Sequence, residues 1–496
     1  MYNFQFVAIF IFVMLFHYMF KSITKQQLPF WLITIAVMIG LTLPVLIKDG
    51  MFMDAMLYAS VSHNLSQGIG TFWFPQFSLR NMAGLSSFHE QPPLVFGIQA
   101  LFYKILGNSM YTERIYTFLT MCITAWLINL LWKETCSNEK VKQMGWLPIL
   151  MWITIPVCFW SYAGDMQENT MGIFTLASGI MVFRALKSER LKVLQYLLSG
   201  FFIFLATFSK GVPGLFVVTM PCMYWLATHK ISFGRMVVAV TLILIVPVIL
   251  YAVLLLFPDS RESLSIYFFK RLLGRINDEP TVRSRFEILG HVFTEMLPQL
   301  GLIVVLFLIT GIKKARSLFQ SNDKQMMLFF TLMGFSGTLP LMLTLVQKDF
   351  YMVPAFPFFA IAFGIIIAAM FAKPILAFDM QSRGYKILKA ISFIAIPIVL
   401  VISLTQIGKT SRNKEMLHDV YVIGNTVPRL SAITIPHSIW EEWDLQCYLI
   451  RYFNISVDPD KNYQYYLLDG QLHDAAPVGY KKLDLKLDRY VLYEKQ

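Results

Sequence analysis

The sequence predicts an α-helical polytopic membrane protein of about twelve transmembrane helices, ending in a small α/β domain outside the bilayer. Three observations predict it. Of 496 residues, 56% are hydrophobic and only 15% are charged, where soluble chains carry roughly a quarter charged residues; mean hydropathy is +0.58. The apolar residues come in runs of about 17 to 22, the length that crosses a hydrocarbon core of roughly 30 Å. From KTSRNKEMLHD onward the runs stop, and polar residues with short strand-like segments take over.

In chain order, spans are read at 4–20, 30–47, 115–132, 147–161, 170–184, 194–208, 213–228, 236–256, 290–310, 326–346, 351–371 and 388–406. No small-residue cleavage site follows Met1 to Phe20, so 1–29 is read as a retained extra N-terminal helix. Residues 30–407 form the transmembrane core, with a first external loop at 48–114. Residues 408–496 form the α/β domain: RLSAITI, YQYYLLDG and KLDRYVLYEK read as strands, and HSIWEEWDLQCYLIRYF has apolar residues at helical spacing. No catalytic constellation is visible in that domain, and an accessory or docking role is expected of it.

Charge sets the orientation. Six basic loops alternate along the chain: KSITK, KETCSNEKVK, FRALKSERLK, THKISFGR, KKARSLFQSNDK and AKPILAFDMQSRGYKILK. If all six are cytoplasmic, as the positive-inside rule requires, Asp54, Asp165, Lys210, Arg275, Lys348 and the tail lie on the other side. The segment LVFGIQALFYKIL, 94–106, is short for a span. A crossing there would move every later basic loop to the side of Asp54, so it is read as an interfacial helix. The net charge of +12 is mostly this topological excess, not a nucleic-acid footprint. The five cysteines show neither metal-site nor disulfide spacing.

Ionisable residues near span ends carry the chemistry. In GMFMDAMLYASVSHNLSQG a lone acid, Asp54, sits just past a span with Tyr58 beyond it. It suits either a helix N-cap or a functional carboxylate. Farther on, His89 and Glu90 precede the rigid Pro92-Pro93 pair. Asp165 and Glu168 share WSYAGDMQENT, and Lys210 lies in FSKGVPG. The segment FFKRLLGRINDEPTVRSR packs Lys270, Arg271, Arg275, Arg283 and Arg285 into an external loop, against the topological trend. Binding of an anionic phosphate or contact with lipid headgroups would account for it. Lys348 and Tyr351 stand in QKDFYMVPAFPFF. Cations can hold the charge of a departing phosphate, and a carboxylate can take the proton of an acceptor. A lipid-phosphate sugar meets both demands, its tail in oil and its head in the loops. Neither GxxxxGK[ST] nor GxGxxG occurs, so a soluble nucleotide is unsupported.

From about residue 30 to 370 four motifs in order resemble the GT-C glycosyltransferases, in particular the protein O-mannosyltransferases and lipid A aminoarabinose transferases. They are MDAMLYA, HEQPPLVFGIQALFYKILGNS with the following Arg114, SKGVPG, and KDFYMVPAFP. This chain has Ala55 where the family often has Glu. It has Leu57 and Gln91 where the aminoarabinose transferases carry Arg and Lys, and the basic 270–285 segment offers replacement cations.

The resemblance implies a GT-C catalytic domain and an inverting transfer from a polyprenyl-phosphate sugar to a lipid A, protein or glycan acceptor. It implies Asp54 as general base or acceptor-orienting acid, Asp165 as a supporting carboxylate, and Glu90 near a metal or the acceptor. Tyr58, His89 and Glu168 support these. Lys210, Arg271, Arg275, Lys348 and Tyr351 are the donor-phosphate candidates. A divalent ion is left open, with His89 and Glu90 as its candidate ligands. The implied location is a bacterial inner membrane with the site facing the periplasm, membrane lipids around it and no nucleic-acid partner. A flippase or transporter for a lipid-linked or anionic solute is the alternative. Transporters, however, gather such residues near the bilayer midplane, often within internal repeats.

Overall fold

The computed structural model describes residues 23–79, 87–274, 280–472, 474 and 478–496. The expected span 4–20 lies outside the described residues. Internal contacts divide the chain into a helical unit, 1–44 with 117–405, and a second unit made of 45–116 with 406–496.

In the helical unit, eight described helices are long and apolar enough to cross a membrane. Two bent pairs raise that to as many as ten. Both bends follow from proline. The Glu139–Ile153 and Pro156–Tyr162 helices meet at 90°, and Glu287–Glu295 and Leu297–Thr310 meet at 58°. Each second helix has a proline in its first turn, which lacks an N–H and clashes with a preceding helical turn. The span expected at 213–228 is composite, a 3-10 stretch Val212–Thr219 running into the Met220–Thr228 helix. Large exposed side chains such as Val248, Leu308 and Val401 lie on spanning helices, where lipid tails cover what water would not.

Small residues let helices approach closely. A Cβ on Gly200 would stand 2.3 Å from the carbonyl oxygen of Ile243, so the Val193–Lys210 and Phe233–Leu254 helices touch backbone to backbone there. The Asp349–Leu376 segment is the most enclosed spanning stretch, 83% buried, against 11% for Arg383–Leu404.

The six basic loops are chained together. Thr24 donates to Gln143, and Gln26 to the carbonyls of Leu376 and Phe378. Arg184 pairs with Glu134 at 2.8 Å. Arg235 donates to the carbonyl of Ala185, and Lys230 to Asn322. They therefore gather at one end of the helical unit, as the charge reading expects of loops on one side of a membrane.

The second unit is built on a five-stranded sheet of order β2-β1-β3-β5-β4. Its strands are β1 (Ala432–Thr434), β2 (Ser456–Asp458), β3 (Tyr465–Asp469), β4 (Tyr480–Lys482) and β5 (Tyr490–Lys495). β1 pairs parallel with β2 and β3, which demands a crossover, and the Trp443–Phe453 helix supplies it between β1 and β2. Asp419 is buried, and its carboxylate accepts the backbone N–H of Asp488, Arg489 and Tyr490 at 2.6, 2.8 and 2.8 Å. That ties the Lys414–Thr426 helix to β5.

Within this unit the first loop and the tail are joined by buried charge. Arg451 reaches Glu113 at 2.7 Å, with 1% and 0% of the two side chains exposed. It also donates to the Ser109 carbonyl and lies over the Tyr103 ring. Asp49 accepts the hydroxyls of Tyr421 and Tyr452, each at 2.7 Å, beside Arg114. The 94–106 segment is the short amphipathic helix expected, burying Val95, Phe96, Gln99, Ala100 and Tyr103.

Breaking such a buried pair strands the surviving charge. Arg451→Met is therefore expected to cost about 3–5 kcal/mol. Limited proteolysis should show faster cleavage of the tail, with the helical content of the spans unchanged by circular dichroism.

Candidate active site

In the helical unit a charged pair is buried where the spans end. Glu168 stands in the first turn of the Gln167–Lys187 helix, and Lys210 is the last residue of Val193–Lys210. The Lys210 ammonium lies 2.7 Å from the Glu168 carboxylate, with side-chain exposures of 5% and 0%. The same ammonium lies over the rings of Phe350 and Tyr351, at 5.8 and 5.6 Å. Charges are expensive at this depth unless paired, and aromatic faces add cation–π attraction.

The local backbone explains why glycine follows Lys210. Gly211 has φ +84°, and a Cβ there would lie 1.7 Å from the Tyr267 hydroxyl. The Lys-Gly element thus ends the helix where only glycine fits.

Asp165 is fully buried in the turn between Pro156–Tyr162 and Gln167–Lys187. That turn is stiffened by Asn169, whose amide donates to the Ser161 carbonyl at 2.9 Å, and by Thr117, which donates to the Gly164 carbonyl at 2.9 Å. Lys348 is exposed and extended, ahead of the 3-10 stretch Asp349–Ala355 that carries the half-buried Tyr351. Arg271 is half-buried in the Ile266–Leu272 π-helix. Arg275 lies outside the described residues. The helical unit therefore brings Glu168, Lys210 and Tyr351 together, and Asp165 lies in the turn just before the helix that carries Glu168.

Asp54, Tyr58, His89 and Glu90 belong to the second unit. The Met53–Ser66 helix is N-capped by Phe52, with no side-chain cap bond, so Asp54 is not the cap that its sequence position allowed. It stands half-buried in the first turn, where a carboxylate meets the positive end of the helix dipole. The tail closes around that turn. Tyr448 donates to the Met51 carbonyl at 3.0 Å, Ser60 donates to the Cys447 carbonyl at 3.2 Å, and Arg412 lies over the Phe52 ring. Burial first, then Glu442 and Asp54, push the Asp444 carboxyl up, against the opposing pull of Arg412 and Asn413.

Tyr58 is buried against Phe96. His89 is buried and bonded to the Ser87 hydroxyl at 2.5 Å, and Glu90 is half-buried. Among the described residues, one trio of His, Cys, Asp or Glu side chains could share an ion: His418, Asp419 and Asp488. Asp419 also accepts three backbone N–H groups, and His89 and Glu90 are not members of that trio.

Sequence reasoning missed several residues. Arg451 carried a readable signal, since it falls at i+4 from Cys447 and i+3 from Tyr448, inside the buried stripe of its helix. Gln167 carried none; it is fully buried, and neither of its amide atoms has a hydrogen-bond partner among the described residues.

Residues 90–254 match the model of a family described as dolichyl-phosphate-mannose-protein mannosyltransferase. The fold is similar to that of ArnT from Cupriavidus metallidurans bound to undecaprenyl phosphate, with a TM-score of 0.63 and 13% identity. That match covers 95% of this chain and 98% of the other. The chain shares the fold of ArnT. The same ArnT in the apo state matches this chain with a TM-score of 0.60 and 13% identity, over 92% and 95% of the two chains. Oligosaccharyltransferase AglB from Archaeoglobus fulgidus, in complex with an inhibitory peptide and a dolichol-phosphate, gives 0.47 and 11%, over 90% and 70%. No curated protein sequence matches the chain. The chain is a multi-pass membrane protein by the length and apolarity of its helices.

Proposed function

We propose that this chain is a GT-C glycosyltransferase that moves a sugar from a polyprenyl-phosphate donor to a lipid, protein or glycan acceptor, with inversion at the sugar carbon. The observation that carries the reading is the Glu168–Lys210 pair under Phe350 and Tyr351. Two sequence motifs far apart in the chain, SKG and KDFY, thereby share one cluster where the spans end. A lipid anchor could run along the spans while its phosphate meets that cluster.

In this reading the acceptor attacks the sugar carbon as the carbon–oxygen bond to the phosphate breaks, and Asp54 takes the acceptor's proton. Lys210, Arg271, Lys348 and Tyr351 hold the phosphate, and Arg275 is proposed with them on sequence grounds alone. Glu168 and Asp165 keep the lysine in place. Tyr58, His89 and Glu90 shape the surroundings of Asp54. The transmembrane core is the catalytic domain, and the tail buttresses the first loop.

Radiolabelled polyprenyl-phosphate sugars, incubated with the full chain in nanodiscs and lipid or peptide acceptors, test the reading. Transfer is expected with at least one acceptor class, and mass spectrometry of envelope lipids and glycoproteins from cells lacking the protein should show the missing product. Unaltered envelopes together with inert protein would refute it.

The proposed location is a bacterial inner membrane with the site on the periplasmic face. Single cysteines placed at 70–79, 262–270 and beyond 410 should react with an impermeant maleimide from outside. Cysteines at 185–192 should not, and the reverse pattern would overturn the orientation.

A further inference from the structure

Close to Tyr351 the helical unit holds a second arrangement that no motif announced. His291 bonds the Asp349 carboxylate through Nδ1, and the two side chains are 40% and 43% exposed. A pair so open to solvent adds little to stability. The framework around it is nonetheless elaborate.

Gln347 is buried, and its carbonyl oxygen accepts the N–H of Ile288 at 3.0 Å in the first turn of the Glu287–Glu295 helix. Its amide nitrogen donates to the carbonyls of Arg285 and Thr344, each at 3.0 Å. Glu287 accepts the N–H groups of Arg283 and Ser284 at 2.9 and 3.0 Å. At the other end Glu295 accepts the N–H of Val157 at 2.7 Å. The nine-residue helix carrying His291 is thus pinned at both ends, and at its start to the residue two before Asp349. The charged groups nearby are Glu287 and Glu295 on its own helix, exposed Arg283 and Arg285 just before it, and exposed Lys348 next to Asp349.

An aspartate on Nδ1 fixes the orientation of the imidazole, and Nε2 is then the nitrogen left for a ligand. Among the described residues nothing else bonds to it. We propose that His291, oriented by Asp349, is a further catalytic residue: in its protonated form Nε2–H donates to an oxygen of the lipid phosphate as that phosphate leaves the sugar. This rests on the transferase reading above. The acceptor's bond to the sugar carbon forms while the carbon–oxygen bond to phosphate breaks, and the electron pair stays on the phosphate oxygen. The acceptor's proton goes to a base. The imidazolium proton passes to the phosphate, leaving a neutral ring that water reprotonates. Asp349 acts through His291 and is a positioning residue.

The test uses the purified full chain in nanodiscs and undecaprenyl phosphate as probe, with binding followed by tryptophan fluorescence. Trp160 stacks on Phe350 at 5.8 Å, beside the dyad. His291→Gln is expected to weaken binding roughly tenfold through loss of a charge-assisted bond, and to lower kcat by about a hundredfold. His291→Arg keeps a charged N–H donor but cannot give up its proton, so it should bind within about twofold of wild type while kcat stays low. Asp349→Asn should resemble His291→Gln, and the double variant should be no worse than either, because coupled residues are non-additive. A His291→Gln protein with wild-type binding and kcat overturns the role. A wild type that neither binds undecaprenyl phosphate nor transfers sugar overturns the transferase reading and this role with it.

Discussion

Asparagine at position 54 is expected to abolish sugar transfer while the protein still inserts and folds. Asn fills the same volume as Asp, and the Met53–Ser66 helix starts at Phe52 without help from the carboxylate. The structural loss is limited to the favourable interaction with the helix dipole, about 0.3–1 kcal/mol. The chemical loss is that of a general base, about 10²–10⁴ in rate. Radiolabelled donor incubated with membranes carrying each form measures the ratio, and wild-type transfer by Asp54→Asn would remove the residue from the mechanism. Asp444 offers a control. It shares the electrostatic surroundings of Asp54 but lies in the tail, so Asp444→Asn should retain substantially more transfer.

Lys210→Met should damage both fold and function. It leaves the fully buried Glu168 carboxylate without its ammonium, and breaking a buried pair from one side costs about 3–5 kcal/mol. Melting in detergent should fall accordingly. Adding Glu168→Gln removes the stranded charge, so the double variant should recover most of the lost melting temperature. Transfer should not recover, because the cation over Phe350 and Tyr351 is still missing. Recovery of activity along with stability would make the pair structural only.

Much of this architecture was legible in the chain. The span read at 30–47 is the Leu28–Leu46 helix, and that read at 194–208 is Val193–Lys210. The short helix read at 94–106 has those bounds in the structure. Three strands and the crossover helix of the tail stand where apolar spacing put them. Less legible were β2 and β4, three residues each and too short to show alternation. Asp54 looked like a cap because capping is judged from residue type, whereas the cap position depends on where helical dihedrals begin.

The sequence alone determined that the chain spans a membrane many times and which loops share a side. Bilayer insertion responds to local composition, with apolar length and loop charge read one segment at a time. Only the tertiary structure decided the partners: Glu168 for Lys210, Glu113 for Arg451 across 338 residues, and His291 for Asp349 across 58. A buried charge announces that it needs a counter-charge, but which one it finds depends on how the helices pack. That packing is settled by glycine contacts, proline bends and the path of the whole chain.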